Sequence, residues 1–291
     1  MEIGVAFPQM AQGLTRERIA EWCQRVDQGP FSSISAGERI TFHNLDGLSL
    51  CAAAAALTDR VRVFFNLAVA PWHAPAMLAQ QCASIDVISG GRFELAVGVG
   101  GRQDDYDALG SSFARRHARV DETVGELKRL WGGGLAPDGQ PVGPVPVQRG
   151  GPRVLCSGMG PKSLARAAHW ADGVSGFALS ADPAETSRMF RAVEAAWETA
   201  GRVDPPRLVT GVFVALGDTA EATLRSFAQA YLGVFGPEIA TTLAGMMPVH
   251  SELALRQAIT AMAEAGCDEL ILVPASSDPE LVDRIAQAVS L

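Results

Sequence analysis

Residues 61–100 read VRVFFNLAVAPWHAPAMLAQQCASIDVISGGRFELAVGVG. Val61 to Val69 is an apolar run rich in β-branched and aromatic residues, the composition of a buried strand. Ala76 to Ile88 follows as a helix. Pro75 stands near its start and Ser89-Gly90-Gly91 at its end, the usual asymmetry of proline entering and glycine leaving a helix. Arg92 to Val99 is a strand again. A strand, a helix and a second strand in so short a span form one crossover unit of a parallel sheet.

The same alternation runs outward in both directions. Upstream lie a strand at Ile3–Phe7, a helix at 15–27 opened by Thr15, a strand at Phe31–Ser35 and an Ala-rich helix at Leu45–Leu57. Downstream lies a helix at 114–131, with Val120, Val124, Leu127 and Leu130 at helical spacing. Strands follow at Arg153–Cys156, Gly173–Phe177, Arg207–Leu216 and Glu269–Val273. Their helices are Pro161–Trp170, Pro183–Ala200 behind the N-cap Asp182, Ser251–Ala265, and a last one behind Asp278. The count of strand–helix units predicts a single α/β domain, a (β/α)8 TIM barrel over residues 1–291. Insertions are expected at about 101–113, 132–152 and 217–249. A doubly wound sheet is the runner-up, disfavoured because no G-x-G-x-x-G turn follows the first strand.

Composition narrows the function. The chain has 291 residues, 48% hydrophobic and 19% charged, which excludes a disordered chain or a coiled coil. The formal net charge is −8 with no basic cluster, so nucleic acid is not an expected partner. No apolar run is long enough to span a membrane, and the first residues lack the pattern of a signal peptide. The five cysteines stand singly, without the spacing of a disulfide framework or a thiolate zinc site. A reducing, cytoplasmic setting is expected, with no metal.

In a barrel of this kind chemistry collects where strands end. Ser157-Gly158-Met159-Gly160-Pro161-Lys162 follows the fifth strand and opens a helix. Its glycines and the helix N-terminus suit a phosphate, with Lys162 as a point charge; the same spacing also describes a plain tight turn. Gly98-Val99-Gly100-Gly101 ends the fourth strand, where missing side chains would let a flat ligand approach, or where a glycine bulge ends the strand. His43 and His73 fall just past the second and third strands and could meet a substrate. His117 and His169 read as surface and packing residues.

These residues together resemble the bacterial luciferase-like monooxygenase superfamily. The resemblance is carried by P-x-x-L-A-x-Q (Pro75 to Gln81), by Ile85-Asp86 leading to Ser89-Gly90-Gly91-Arg92-Phe93, and by Gly98-Val99-Gly100. It continues through Tyr106 to Gly110 and Arg116 to Glu122, with Phe7-Pro8-Gln9, Gly37-Glu38-Arg39 and Ala171-Asp172-Gly173 in support. It implies a (β/α)8 barrel that binds coenzyme F420, a 5-deazaflavin, or alternatively flavin mononucleotide (FMN). Gly158 to Lys162 with Ala171 to Gly173 is similar to the deazaflavin-dependent branch. The implied activity is hydride transfer between coenzyme F420 and a small organic substrate. With FMN the implied activity is a two-component monooxygenase served by a separate flavin reductase.

The resemblance further implies cofactor contacts from Ala68, Val69, Gly98, Gly100, Ser157, Gly158, Met159, Gly160 and Lys162. It implies a non-proline cis peptide near Ala68-Val69, and a homodimer packed through the early helices, around 51–57 and 76–88. Two positions depart from the pattern of deazaflavin dehydrogenases. Their Asp-His pair after the second strand is Glu38-Arg39 here, and their acid after the fourth strand is Gly101. Glu38, His43 and Asp104 are the nearest catalytic candidates. With that pair missing, a non-catalytic flavin-binding protein is the alternative from another class.

Overall fold

The computed structural model describes residues 1–290. Eight parallel strands close into a barrel in sequence order: β1 (Glu2–Ala6), β2 (Ser33–Ala36), β3 (Arg62–Val69), β4 (Phe93–Gly98), β5 (Arg153–Cys156), β6 (Gly173–Ser175), β7 (Arg207–Val214) and β8 (Glu269–Pro274). Around them run α1 (Arg16–Gln28), α2 (Gly47–Leu57), α3 (Pro75–Ile88), α4 (Gln103–Ala108), α5 (Arg116–Trp131) and α6 (Pro161–Ala167). The shell continues through α7 (Pro183–Thr199), α8 (Ala220–Leu232), α9 (Pro237–Ala244), α10 (Glu252–Glu264) and α11 (Glu280–Val289). The expected TIM barrel is the observed fold.

Alternation along each strand sorts the core into two layers. Val63 and Phe65 of β3 face the helices, whereas Phe64 between them points into the barrel with Ala6, Ala96, Leu155, Val209 and Ile271. The barrel is therefore packed with side chains, and its floor is apolar.

Its N-terminal end is closed by charge. Glu269, fully buried at the start of β8, accepts the Ser32 and Ser33 hydroxyls at 2.6 Å each. It also pairs with Arg62 at 2.8 Å and Arg207 at 2.5 Å. Glu94 at the start of β4 pairs with Arg153 at 2.9 Å. Burial pushes the Glu94 carboxyl above the usual carboxylate range, against the pull of Arg207, Arg62 and Arg153. All of these residues begin or adjoin the lower ends of strands, away from the mouth.

Several boundaries differ from the sequence reading. α4 is a short helix inside the stretch expected as an insertion; Asp105 and Tyr106 bury themselves at its core. β6 stops at Ser175, and just beyond it the Phe177 ring packs on Gly211, where an added Cβ would lie 3.1 Å from that ring. α6 ends at Ala167, and the chain tightens through His169 N–H to the Arg166 carbonyl and Trp170 N–H to the Ala167 carbonyl. Residues 132–152 carry one antiparallel bridge, Leu135 with Pro141. The helical stretch expected after β7 resolves into α8, a 3-10 turn at Gly233–Phe235 and α9. α8 and α9 bring Leu224, Phe227, Leu232, Ala240 and Ala244 into one cluster with Phe213 and Ala275, so they pack over the barrel mouth.

Candidate functional site

A cavity of about 430 Å³ opens at the C-terminal end of the barrel. Leu67, Ile271 and Val273 make its floor, and Gly37, Glu38, Asn66, Ser157, Met159 and Ser175 form one side. Phe177, Phe213, Tyr231 and Leu232 form another. The cavity draws on seven strand ends or their loops, which is where a barrel of this type converges its side chains.

The exit of β3 shapes the polar side. Its register against β4 shifts between Phe65 and Ala68, a bulge that re-aims the strand end. The non-proline cis peptide lies within this bulge, at Asn66-Leu67, which corrects the position near Ala68-Val69 expected from the sequence. Asn66 Oδ1 accepts the Ser175 hydroxyl at 2.9 Å, which ties the bulge to β6. Beyond it, the Glu38 carboxylate accepts the Val69 N–H at 2.7 Å and lies 2.9 Å from His73 Nε2. Only 5% of the Glu38 side chain is exposed, so the loop after β2 and the loop after β3 are locked through one buried carboxylate. Gln9 completes the arrangement: its side-chain amide donates to the Gly37 carbonyl and accepts the Gly37 N–H, both at 2.8 Å.

Glycine lets neighbouring strand ends pack closely on either side of the bulge. A Cβ on Gly37 would lie 3.0 Å from the Asn66 carbonyl oxygen. A Cβ on Gly98 would collide with the Ser157 hydroxyl and lie 3.1 Å from Leu67. Gly100 has a φ of +63°, and a Cβ there would lie 2.7 Å from Val69. Ala68 and Val69 are buried beside these positions. Gly98 therefore packs directly on Ser157 and Leu67, which line the cavity, while Gly98, Gly100, Ala68 and Val69 stand behind that lining.

The Ser157–Lys162 stretch is divided. Ser157 and Met159 line the cavity. The Gly158 N–H turns toward Cys156 Sγ at 3.3 Å. Gly160 is the N-cap of α6, and Lys162 lies exposed on its first turn.

The three acid/base candidates also separate. Glu38 lines the cavity. His43 lies outside it, its Nε2 3.1 Å from the Met10 carbonyl and its ring tilted against Phe42 at 4.1 Å. Asp104 is exposed on the first turn of α4. Its neighbour Asp105 is the buried one, accepting the Thr41 N–H at 2.7 Å and the Thr41 hydroxyl. His73 is the residue that actually meets Glu38. Its place just past a strand end was visible in sequence, but the pairing needed two loops from different strands to meet. Among the described residues no cluster of His, Cys, Asp or Glu could hold a metal ion.

The opposite wall is aromatic. Phe177 and Phe213 meet at 4.6 Å with their rings tilted by 53°, and Phe213 meets Phe227 at 5.4 Å and Tyr231 at 5.7 Å. These rings come from β7, the loop after β6 and α8.

A largely apolar cavity with a few polar groups at this end of a barrel is where such folds bind small molecules and cofactors. The model of the luciferase-like monooxygenase family matches residues 1–291, and the chain belongs to that family. Among curated proteins it is 32% identical to the pyrimidine monooxygenase RutA of Escherichia coli over 143 residues. That match covers 45% of this chain and 39% of RutA, so the chain spans about two fifths of the length of the relatives it matches. Among solved structures, monooxygenase RslO1 from Streptomyces bottropensis superposes with a TM-score of 0.80 at 20% identity, covering 100% of this chain and 98% of that one. An F420-dependent secondary alcohol dehydrogenase, in complex with an F420-acetone adduct, gives 0.77 at 18% identity over 99% and 98%. The oxygenating constituent of 3,6-diketocamphane monooxygenase from Pseudomonas putida, in complex with FMN, gives 0.75 at 16% over 99% and 97%. At these identities the structural likenesses establish the shared fold. Its members include enzymes that carry either a deazaflavin or FMN, and no helix among the described residues is long and apolar enough to cross a membrane.

Proposed function

We propose that this chain is an oxidoreductase that holds coenzyme F420 in the barrel-mouth cavity and transfers hydride between it and a small organic substrate. The observation that carries the reading is the barrel-mouth cavity, with its apolar floor, beside the β3 bulge. Gly37 and Gly98 flank Asn66 and Leu67, and at Gly98 the space a Cβ would fill is taken by the Ser157 hydroxyl and Leu67. An apolar floor with backbone at its edge suits a flat, uncharged ring, so the residues present fit the group.

On this reading Asn66 and Leu67 border the ring, backed by Ala68, Val69, Gly98 and Gly100. Ser157, Gly158, Met159, Gly160 and Lys162 border its phosphate-bearing tail. The bound deazaflavin supplies the two-electron chemistry, accepting or giving hydride at its C5 carbon. The protein's part is positional and electrostatic. Leu67 and Ile271 keep water from the floor, and the aromatic wall fixes the substrate against the opposite side. Glu38, alone of the three acid/base candidates in lining the cavity, holds or passes the proton that accompanies hydride transfer, with His73 as its partner. His43 and Asp104 stand too far out for that role without loop movement. The exposed apolar residues Leu57, Met77, Val87 and Ile88 on α2 and α3 support pairing with a second copy of the chain. The setting proposed is cytoplasmic.

A second reading is favoured by the identity with RutA over 143 residues: an FMN-dependent monooxygenase served by a separate reductase. Equilibrium titration of the purified chain with coenzyme F420 and with FMN separates the two. Preferential binding of the deazaflavin supports hydride transfer. Preferential binding of FMN moves the assignment to the monooxygenase, and binding of neither leaves the family fold without this function.

A further inference from the structure

Two arginines packed against Tyr231 of the cavity wall, though not themselves part of the lining, are not used by the chemistry above. Arg39 follows β2 and Arg102 caps α4, yet both guanidinium groups converge on Tyr231 of α8. Their central carbons lie 5.5 Å and 5.1 Å from the centre of that ring, which is part of the cavity wall. Arg39 also lies 3.9 Å over Phe42 and donates to the Tyr231 carbonyl at 3.1 Å.

Neither arginine pairs with a carboxylate among the described residues, whereas Arg62, Arg153 and Arg207 at the barrel base each hold one. The Nε of each of these two arginines is buried without a hydrogen-bond partner. Asp105 is near and its charge offsets part of the repulsion at Arg39, but its Oδ1 is committed to Thr41, its Oδ2 has no hydrogen-bond partner, and it forms no ion pair with either arginine. Burial, and then the charge of Arg102, pulls Arg39 below its ordinary basicity. Two like charges held together in a partly desolvated place are unfavourable until an anion bridges them. A carboxylate suits this task because its two oxygens match the planar fork of a guanidinium.

The neighbouring wall says what the rest of the molecule must be. Phe177, Phe213 and Tyr231 present ring faces and edges to the cavity, which favour a flat apolar partner. We propose that the substrate is an aromatic or cyclic carboxylate, its ring against Phe177, Phe213 and Tyr231 and its carboxylate bridging Arg39 and Arg102. The proposal rests on this cavity being the catalytic site.

Calorimetric titration with 2-naphthoate and with its uncharged analogue 2-naphthamide tests it, on the full chain alone and on the chain saturated with coenzyme F420 or FMN. The expected result is 2-naphthoate binding at least about tenfold more tightly than the amide, the worth of one good charge-assisted contact. Arg102→Gln, whose side chain makes no hydrogen bond in the fold, should reduce that preference to less than about threefold while the amide binds as before. Arg39→Lys, which keeps the charge and loses the fork, should give an intermediate preference. Equal binding of the two probes, tighter binding of the amide, or a preference that survives Arg102→Gln would overturn the proposal. Cofactor binding without carboxylate preference overturns the substrate class and leaves the cofactor reading standing. Carboxylate preference without binding of either cofactor does the reverse.

Discussion

Removing the Glu38 carboxylate tests whether the cavity is held open by the link between the β2 and β3 loops. That side chain is 5% exposed and accepts the Val69 N–H at 2.7 Å, with His73 Nε2 at 2.9 Å. Glu38→Ala leaves the Val69 N–H without its acceptor. An unmet buried donor costs about 1–3 kcal/mol, and loss of the His73 contact adds to it. In a chain of this size each kcal/mol lowers the melting temperature by about 2–4 °C, so a fall of roughly 3–10 °C is expected. Glu38→Gln keeps an oxygen for Val69 and offers an amide N–H to a neutral His73, so it should melt within about 3 °C of the wild type. The two variants should also part in function. Glu38→Ala loosens the β3 exit and weakens cofactor binding, seen as a higher Kd in a fluorescence titration. Glu38→Gln should bind cofactor normally and lose turnover and its pH dependence, because an amide cannot carry the proton. Scanning calorimetry and the titration on the same samples decide the matter. A Glu38→Ala chain with wild-type melting temperature and affinity would refute the idea that this carboxylate holds the site together.

Other outcomes follow from other parts of the fold. Gly98→Ala puts a methyl group onto the Ser157 hydroxyl and against Leu67; overpacking of about 1–3 kcal/mol should appear chiefly as weaker cofactor binding in the same titration. Glu269→Ala removes a fully buried partner of Arg62 and Arg207, which keep Glu2 and, for Arg62, Glu94; a loss of about 1–3 kcal/mol is expected, measurable by denaturant unfolding. Because Glu269 lies at the opposite end of the barrel, whatever protein folds should keep its cofactor Kd. Asp27 accepts three backbone N–H groups, from Asp59, Arg60 and Val61 at 2.9–3.0 Å. Burial alone would raise its carboxyl, but these bonds outweigh it and hold the group below its ordinary value of 3.8. A carboxyl lowered in the fold stabilises above its unfolded pKa, and that stability is lost as pH falls through the lowered folded value. The stability gap between the wild type and Asp27→Asn should therefore be full at pH 6 and shrink below about pH 4, as read by urea unfolding.

The barrel was legible because its signals are local. Each strand is a short apolar run and each helix carries its own start or stop, such as Asp182 before Pro183 or Gly90-Gly91 after α3. The charge plug at the base was not legible. Glu2, Arg62, Glu94, Arg207 and Glu269 look like ordinary polar residues at strand starts, and only barrel closure brings them together. The site divides the same way. Gly98, Gly100 and Ser157 could be placed at strand ends from the sequence, and the structure sets them side by side. The partnership of Glu38 with His73, and the convergence of Arg39 and Arg102 on Tyr231, join loops from separate strands. No spacing along the chain encodes such contacts. α4 was hidden for a related reason: its residues are polar, and burial of Asp105 depends on Thr41 from a different loop.

On the proposed reading a flavin-type cofactor occupies the barrel-mouth cavity beside the β3 bulge. Hydrogen exchange read by mass spectrometry, with and without saturating coenzyme F420 or FMN, tests this most directly. The account predicts slowed exchange concentrated at residues 66–73, 98–102 and 157–162, with the barrel base unchanged. Tight binding with protection confined to the outer faces of the helices, and none at those segments, would contradict it.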